Sequence, residues 1–451
     1  MTLTISFLQL LRIIFFYFVV LFSGIIYSQN TTTISDDNFE IALINQGIDT
    51  NGLTGDILNS DAEIVTTLNI YNKSIHDLTG IEAFSNLKNL YVYNNNISHL
   101  DLSKNIALRI LDIENNSLET LDISQNLDLV EIYVSNNLLH SLNVEHLFEL
   151  ELLSSNLNNL STLNLTQNLA LEVLWCYSNN LTSLDVSNNY VLETLFLDDN
   201  HLSALNISNN FELQTLSISN NNLSTISFSH CADISYINVS NNELNQLDLI
   251  FNPDVKRLMC DNNNITELEL FNAPDLFLLN ASNNKIDHID VSMSINLRYI
   301  LLQNNSLQSM DIRNNSNDNV ANFNTEGNLN LTCIFVDNVN ASFLSDWNID
   351  EESNFVSNEE DCSRFLTIDA ITARETISLE LYPNPIHDFL NIKNLKANDI
   401  VTIFNVNAQL VKHHVAKSGL NTLDITSLSS GAYFVKVASL NKSVVQRIIV
   451  N

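Results

Sequence analysis

Hydrophobic residues recur along most of the chain at a fixed interval of 21 residues, in the order L-x-x-L-x-L-x-x-N-x-L. Successive repeats begin, at what we number position 1, with Leu87, Leu108, Leu129, Leu150, Leu171, Leu192, Leu213, Ile234, Val255, Leu276 and Leu297. Apolar and polar residues alternate over positions 4 to 6, which predicts a short strand with one buried face in each repeat. Because one repeat cannot bury that face alone, the repeats are expected to stack by parallel pairing into a solenoid.

This pattern resembles the leucine-rich repeat. It predicts a mainly β fold, in which a solenoid of 21-residue repeats with short parallel strands has a capping segment at each end. A diverged repeat that begins at Val65 precedes the regular ones with an offset of one residue. We therefore place the solenoid at residues 65–329, an N-terminal cap at 29–64 and a C-terminal cap at 330–362.

Asparagine stands at position 9 of every regular repeat, and we predict that these side chains turn inward as a ladder. Its members are Asn95, Asn116, Asn137, Asn158, Asn179, Asn200, Asn221, Asn242, Asn263, Asn284 and Asn305. A side-chain amide both donates and accepts, so it can satisfy backbone groups that a turn leaves open. Asparagine also adopts positive φ more readily than most residues. We expect this to explain why the chain has only 8 glycines in 451 residues.

The second half of each repeat reads L-D-x-S-x-N and places a polar, often acidic residue at position 15, as in Asp101, Asp122 and Asp185. Stacked carboxylates of this kind suggest either a calcium ladder or side-chain oxygens that cap turns. Calcium-binding solenoids use glycine-rich nonapeptides, and the chain has none. We therefore favour the turn-capping interpretation.

The N-terminal segment is expected to act in export. Residues 1–28 combine Arg12, an apolar run of about 15 residues and a small-residue site at Ser28, as in a cleaved signal peptide. An uncleaved anchor is the alternative, but a membrane span needs roughly 20 apolar residues. We therefore expect no membrane span in the mature chain.

The N-terminal cap combines a short helix, which Ser35 and the two following aspartates can cap, with a loop that resembles a D-x-N-x-D-G calcium loop. This loop runs from Asp49 to Asp56. Leu53 stands where a ligand oxygen is needed, and the spacing is one residue too long. We therefore expect no metal in the loop and no cofactor elsewhere in the chain.

Two of the five cysteines are expected to form a disulfide. Cys333 and Cys362 bracket the C-terminal cap, and cysteines of an exported chain commonly pair. Cys176 and Cys260 occupy the buried position 6, and Cys231 replaces an asparagine at position 19. We expect these three cysteines to be small buried hydrophobic residues.

The repeats stop before a linker at 363–376, and residues 377–451 consist of short alternating strands behind a turn-rich Leu381–Pro385 segment. This segment is similar to the C-terminal sorting domains of type IX secretion cargo in gram-negative bacteria. The residues that carry the resemblance include Tyr382, Pro383, Asn384, Pro385, Gly431 and Tyr433. One departure is Asn407-Ala408, where the family usually has glycine in a turn.

The resemblance implies a small C-terminal β-sandwich that the type IX secretion machinery recognises. It also implies passage across the outer membrane, followed by attachment to the cell surface or release. The repeat region is similar to surface leucine-rich-repeat proteins of the same bacteria. Neither resemblance identifies a ligand.

The charge is divided unevenly along the chain. The full sequence has a net charge of −33, and residues 29–362 carry 9 basic and 46 acidic side chains, whereas the tail is mildly basic. Nucleic-acid binding depends on Lys and Arg, so this class of partner is excluded. No Lys or Arg occurs from Ile110 to Val255, which favours a cationic partner.

The sequence contains no sign of catalysis. Its histidines fall at unrelated repeat positions, and it has no nucleophile or phosphate-loop motif. We expect no enzymatic activity.

The candidate ligand site is instead the outward strand face at positions 5 and 7, where aromatic residues concentrate in the first half of the solenoid. The candidates are Tyr91, Tyr93, Tyr133, Trp175, Tyr177 and Phe196. Outward aromatics are typical of interfaces and of sugar-stacking surfaces, although strand propensity alone also favours them. Three functions stay open: binding of or adhesion to a protein partner, glycan binding in polysaccharide capture, and a structural role in a surface layer or matrix.

Overall fold

The computed structural model describes residues 30–270, 272–363, 380–405, 409–439 and 442–451. The predicted signal peptide, most of the linker and the Asn407-Ala408 turn lie outside these residues. The chain divides into two compact units, residues 1–163 and 164–451, and each is described by itself.

The first unit begins with the N-terminal cap. Strands β1 (Thr31–Thr33) and β2 (Asp56–Leu58) pair antiparallel, and helix α1 (Asp37–Asn45) lies between them in sequence. Asp36 caps α1, because its carboxylate accepts hydrogen bonds from the backbone N–H groups of residues 38 and 39. Helix α2 (Asn59–Ala62) follows. The inward face of α1 is fully buried and covers the first coil of the solenoid, with the rings of Phe39 and Phe84 6.4 Å apart.

Each coil of the first unit contributes one three-residue strand, and a 3-10 helix (Ile81–Ala83) lies between the first two. The strands are β3 (Thr67–Asn69), β4 (Asn89–Tyr91), β5 (Ile110–Asp112), β6 (Glu131–Tyr133) and β7 (Leu152–Ser154). They pair in parallel with every residue opposite the residue at the same repeat position. The strands therefore occupy positions 3 to 5, one residue earlier than the sequence indicated.

The second unit continues the same repeat. Its strands are β8 (Val173–Trp175), β9 (Thr194–Phe196), β10 (Thr215–Ser217), β11 (Tyr236–Asn238), β12 (Leu247–Asp248), β13 (Arg257–Met259), β14 (Leu268–Glu269), β15 (Leu278–Asn280), β16 (His288–Asp290), β17 (Tyr299–Leu301), β18 (Ser309–Asp311), β19 (Asn322–Asn324), β20 (Cys333–Phe335) and β21 (Asn354–Val356). The strands at positions 3 to 5, β8 to β11 with β13, β15, β17 and β19, form one parallel sheet. The others pair on the opposite side of the coils.

The C-terminal cap closes the second unit with aromatic packing. A 3-10 helix at Asn317–Asn319 precedes the cap, which contains a second 3-10 helix at Ser342–Asp346 and helix α3 (Glu359–Ser363). Trp347 is 7% exposed and stacks on Phe323 with ring centroids 4.2 Å apart. A disulfide joins Cys333 on β20 to Cys362 on α3, and Cys176, Cys231 and Cys260 are buried and not disulfide-bonded.

The tail folds around a core of its own. Its strands are β22 (Glu380–Tyr382), β23 (Phe389–Leu395), β24 (Ile400–Asn405), β25 (Leu410–Val415), β26 (Gly419–Asp424), β27 (Gly431–Ser439) and β28 (Lys442–Val450). They form antiparallel sheets in the orders β22-β23-β26 and β25-β24-β27-β28. Side chains from both sheets, such as Leu390 and Val435, share one buried apolar cluster.

The position-9 asparagines form hydrogen bonds that join consecutive coils. Asn137 accepts from the Leu118 N–H at 3.0 Å and donates to the carbonyls of Ile113 at 3.0 Å and Val134 at 3.1 Å. Asn200 repeats this pattern in the second unit and is 3% exposed. Each amide thus satisfies three backbone groups that the turn would otherwise bury unpaired.

A second ladder at position 19 was not predicted, although its asparagine is the last letter of the L-D-x-S-x-N segment. Asn105, for example, donates to the carbonyls of Ile81 at 2.8 Å and Phe84 at 3.0 Å in the preceding coil. Cys231 interrupts this ladder and places its sulfur 3.5 Å from the carbonyl oxygen of Asn210. Burial raises the pKa of the Cys231 thiol to about 11.

The explanation for the scarce glycine was wrong in one respect. The left-handed conformation falls on position 8, not on the ladder asparagine at position 9. Asn fills most of these sites, but Leu157 adopts φ 53° there. A non-glycine residue in this region costs roughly 1–2 kcal/mol, and Asn tolerates it better because its side chain can bond locally.

We predict that Leu157→Asn stabilises the protein by about 0.5–1 kcal/mol, because it relieves this conformational cost at a half-exposed site. Thermal unfolding followed by circular dichroism measures the effect. Asn94→Leu makes the reverse change at φ 55° and is expected to lower the unfolding temperature. A Leu157→Asn protein that unfolds earlier than the wild type would contradict the prediction.

Candidate functional site

The strand face consists of the side chains at repeat positions 5 and 7, which point away from the core. The six candidates on this face are half-buried, although an exposed face was expected. Ser154 and Ser217 are even buried outright, at 1% and 5% exposure. Adjacent strands lie only about 4.8 Å apart, so large side chains cover their smaller neighbours.

In the first unit, the strand face surrounds one carboxylate with tyrosines. The backbone register places Asp112 directly between Tyr91 and Tyr133 on the neighbouring strands. Tyr93 lies at position 7 beside them and stacks on Tyr71 with centroids 4.6 Å apart and planes 4° from parallel. Tyr71 was not predicted, since it belongs to the diverged repeat whose register is offset in the sequence.

Asp112 is the most perturbed acid of the strand face. Burial among its neighbours raises its pKa from 3.8 to about 6; the negative charge of Glu114 adds to the rise, while the Glu114 backbone N–H, which donates to Asp112 at 3.3 Å, opposes it. Within the described residues Asp112 forms no salt bridge. The carboxylate therefore loses hydration on folding and gains no positive charge in return.

Tyr133 completes the acidic and aromatic character of this patch. Its hydroxyl donates to the Glu131 carboxylate at 2.9 Å. Burial first, and then the hydrogen bond to Glu131 and the nearby negative charges, raise the pKa of the Tyr133 phenol. We call Tyr91, Tyr93, Asp112 and Tyr133 the tyrosine–aspartate patch. It presents aromatic rings and one carboxylate, which is a combination that attracts a guanidinium or ammonium group.

In the second unit, Trp175 and Phe196 form the aromatic part of the strand face. Their rings stack with centroids 6.4 Å apart and planes 23° from parallel. The indole nitrogen of Trp175 is buried and has no hydrogen-bond partner among the described residues. Tyr177 lies at position 7 of the same coil as Trp175 and is half-buried.

A polar network centred on Asp198 Oδ1 follows this aromatic pair. Asp198 accepts hydrogen bonds from the hydroxyl groups of Ser217 at 2.6 Å and Ser219 at 2.5 Å, and from the Ser219 N–H at 2.9 Å. An acid can thus be accommodated on the strand face when the neighbouring positions carry serine. Asp112 stands between tyrosines instead, which is why its environment differs.

The position-15 stripe has the geometry of turn caps. Asp101, Asp122 and Asp185 each accept a hydrogen bond at 2.9 Å from the backbone N–H two residues on. These bonds, together with the serine hydroxyls, lower the pKa of each carboxyl. No group of three or more His, Cys, Asp or Glu side chains in the described ranges is arranged to hold a metal.

An exposed apolar row at position 20 was not predicted. It contains Ile106, Leu127 and Phe148 in the first unit and Leu169, Tyr190 and Phe211 in the second, all about half exposed or more. This row could have been predicted from the 21-residue alignment, because an apolar residue recurs at position 20 of these six repeats. The row turns outward next to the buried position 19.

The sorting-motif residues hold the end of the chain. Asn384 accepts from the Ile449 N–H at 2.9 Å, between cis peptide bonds that precede Pro383 and Pro385. Tyr433 donates from its hydroxyl to the Ser429 carbonyl at 2.7 Å. Tyr382 packs under the Lys393 ammonium, and Gly431 begins β27. The motif and the last strand thus form one structural element.

Comparison with known proteins identifies the tail and the solenoid separately. Residues 380–451 match the Por_Secre_tail family, the secretion system C-terminal sorting domain, so the predicted type IX sorting domain is confirmed. The curated proteins contain no significant match to the chain. In the part of the chain that the structure describes, no helix has the length and apolar character of a membrane span.

Two solved structures are similar to most of the chain. The functional domain of InlJ from Listeria monocytogenes, which includes a cysteine ladder, matches with a TM-score of 0.61 and 20% identity, over 93% of this chain and 98% of its own. An internalin, InlF, from Listeria monocytogenes matches with a TM-score of 0.56 and 20% identity, over 72% and 95%. These similarities confirm the predicted leucine-rich-repeat solenoid fold.

Asp112→Asn is predicted to stabilise the protein at neutral pH. Folding raises the pKa of Asp112 from 3.8 to about 6, so its ionisation opposes folding fully above pH 6 and not at all below pH 3.8. Thermal unfolding of wild type and variant is measured near pH 7.5 and near pH 4, with the difference expected only at the higher pH.

Asp185→Asn is the matched control for Asp112→Asn. Hydrogen bonds from Ser187 lower the pKa of Asp185, so its replacement removes a favourable carboxylate and is expected to destabilise slightly at neutral pH. Equal changes in unfolding temperature for the two variants would contradict the inference that the ionised Asp112 carboxylate destabilises the fold.

Proposed function

We propose that this chain is an exported cell-surface or secreted protein of a gram-negative bacterium that binds a protein partner through the strand face of its solenoid. The C-terminal sorting domain supports export by the type IX machinery. Each unit supplies a face of parallel strands, which suits recognition of an extended partner surface. The proposal includes no catalytic step.

The proposal rests on one observation. The carboxylate of Asp112 lies between tyrosines and forms no salt bridge within the described residues. Ionised groups that folding desolvates without a partner are costly, and they concentrate at functional sites. A guanidinium from a partner would restore the lost stabilisation and would lie against the rings of Tyr91, Tyr93 or Tyr133. The absence of Lys and Arg from Ile110 to Val255 adds long-range attraction for a basic partner.

Glycan binding is the second candidate, and the aromatic pair of the second unit favours it. Stacked Trp175 and Phe196 resemble the platforms on which sugar rings lie. A glycan ligand would depend on these rings and only weakly on salt, whereas a basic protein would depend on Asp112 and strongly on salt. A structural role in a surface layer or matrix would depend on neither group.

The first test selects ligands for the purified mature chain from a random peptide-display library. We expect the selected peptides to be enriched in Arg and Lys, and to lose at least tenfold in affinity when Asp112→Asn removes the carboxylate. Asp101→Asn is the control, because Asp101 is also acidic but caps a turn outside the strand face. Peptides with no basic enrichment, or equal binding to both variants, would contradict the proposal.

The second test compares aromatic residues on two surfaces of the same unit. The Trp175→Ala, Phe196→Ala double variant is expected to abolish ligand binding while the solenoid stays folded, because it removes the aromatic pair of the strand face. Tyr190→Ala, Phe211→Ala is the matched control, since it removes two exposed rings from the position-20 row.

Binding is measured on the selected peptides and on a glycan array, each at low and high salt. Loss of glycan signal with retained peptide binding would assign the aromatic pair to a sugar. Unchanged binding of every ligand in the Trp175 and Phe196 double variant would exclude the pair from the site.

A further inference from the structure

The loop between helix α1 and strand β2 holds an uncompensated carboxylate oxygen. Asp49 is 4% exposed, and its Oδ1 accepts from the Asn51 N–H at 3.1 Å. Its Oδ2 is buried and has no hydrogen-bond partner among the described residues. A carboxylate oxygen in this position calls for a positively charged neighbour, and no Lys or Arg lies between residues 30 and 72.

Three further oxygens converge on the side-chain amide of Asn51. Its Nδ2 donates to the Thr54 hydroxyl at 2.8 Å, the Asp56 carbonyl at 3.2 Å and the Asp56 carboxylate at 2.7 Å. The other end of the same amide, Oδ1, is buried and without a partner among the described residues. Asn51 Nδ2 is therefore hydrogen-bonded to all three of these oxygens. Asn51 Oδ1, which could bind a cation, points away from them.

The extra residue in the loop supplies what the sequence pattern lacks. Leu53 stands where the D-x-N-x-D-G pattern needs an oxygen, but it is 60% exposed and takes no part in the cluster. Thr54, one position later, brings its hydroxyl to the cluster instead. Asp61 is also near, because its Oδ2 accepts from the N–H of Thr50 at 3.1 Å and from its hydroxyl at 2.6 Å.

A buried glutamate fixes the loop from the opposite side. Glu40 on α1 is 1% exposed, and its Oε1 accepts from the N–H groups of Thr54 and Gly55, both at 2.7 Å. These bonds occupy the Glu40 carboxylate and hold the Thr54 segment in place. The oxygens of the loop are therefore positioned by the N-terminal cap before any ligand arrives.

We propose that this loop binds a calcium ion through Asp49, Asn51, Thr54, the Asp56 carbonyl and Asp61. Rotation of the Asn51 amide would turn Oδ1 toward these oxygens in place of Nδ2. The ion would then bind Oδ1 and the other oxygens, and these contacts would replace the hydrogen bonds that Nδ2 donates. A set of carboxylate, amide, hydroxyl and carbonyl oxygens suits a hard cation with flexible coordination, and it offers no nitrogen or sulfur to a transition metal. With few carboxylates in the set, affinity in the range of extracellular calcium modules is expected, about 10⁻⁴–10⁻³ M.

This inference is independent of the strand face and of the proposed function. The ion would join the end of α1 to the strand β2 and thereby stabilise the cap that covers the first coil. The expectation of no metal from the sequence rested on the missing ligand at Leu53, which Thr54 replaces in three dimensions.

The test is calcium titration of the purified mature chain after treatment with EDTA. Isothermal titration calorimetry with calcium chloride is expected to give one site, and about 5 mM calcium is expected to raise the unfolding temperature. Magnesium chloride at the same concentration is expected to have a smaller effect, because the smaller ion needs stricter octahedral geometry.

Asp49→Asn is the decisive variant, since it keeps the shape of the side chain and removes its charge. We expect it to weaken calcium binding at least tenfold, and Asp61→Asn serves as a second variant should the first fail to fold. Glu63→Gln, an exposed acid just outside the loop, is expected to bind like the wild type. No heat of binding in the wild type, or full calcium response in both loop variants, would overturn the proposal.

Discussion

The whole solenoid depends on how its turns satisfy their backbone hydrogen bonds. The turns of the coils contain N–H and C=O groups that would be buried unpaired without a side chain to bind them. The position-9 asparagines do this by bonding to their own coil and to the coil before, as Asn137 does with Val134 and Ile113. The ladder persists where a repeat is longer, because Tyr299 pairs with Asn322 and Asn328 still accepts from the Leu307 N–H at 3.0 Å.

This constraint fixes the chemistry of the outward surface. A ladder that holds each coil in the same register also places position 5 of one strand beside position 5 of the next. This register places Asp112 between Tyr91 and Tyr133. Their rings exclude water from its carboxylate. The perturbed pKa of Asp112 is a consequence of the interior ladder, although the two are on opposite sides of the strand.

The sequence was sufficient wherever a feature depends on periodicity. The ladder members and the strand of each repeat follow from letters at regular positions, whereas the sorting segment follows from its resemblance to a known family. Features that depend on distances between side chains did not follow. The burial of Ser154 by its neighbours, the left-handed φ of Leu157 and the apolar row with Phe148 and Phe211 require the coils to be stacked first. The same is true of Thr54, whose hydroxyl forms hydrogen bonds with Asn51 and Asp56 one position beyond Leu53.

The fold does not require a charged residue at position 5 of the strand face. Serine at position 5, as in Ser154 and Ser217, is compatible with parallel stacking and carries no charge to desolvate. At position 7 of the same face, Asp198 accepts hydrogen bonds from the hydroxyl groups of Ser217 and Ser219, so serines can satisfy an acid on this surface. Asp112 has tyrosines in place of these donors, so the fold bears a cost that packing does not explain. Since the ladder holds the scaffold with or without this residue, this cost is what the proposed basic partner would offset by supplying a cationic group.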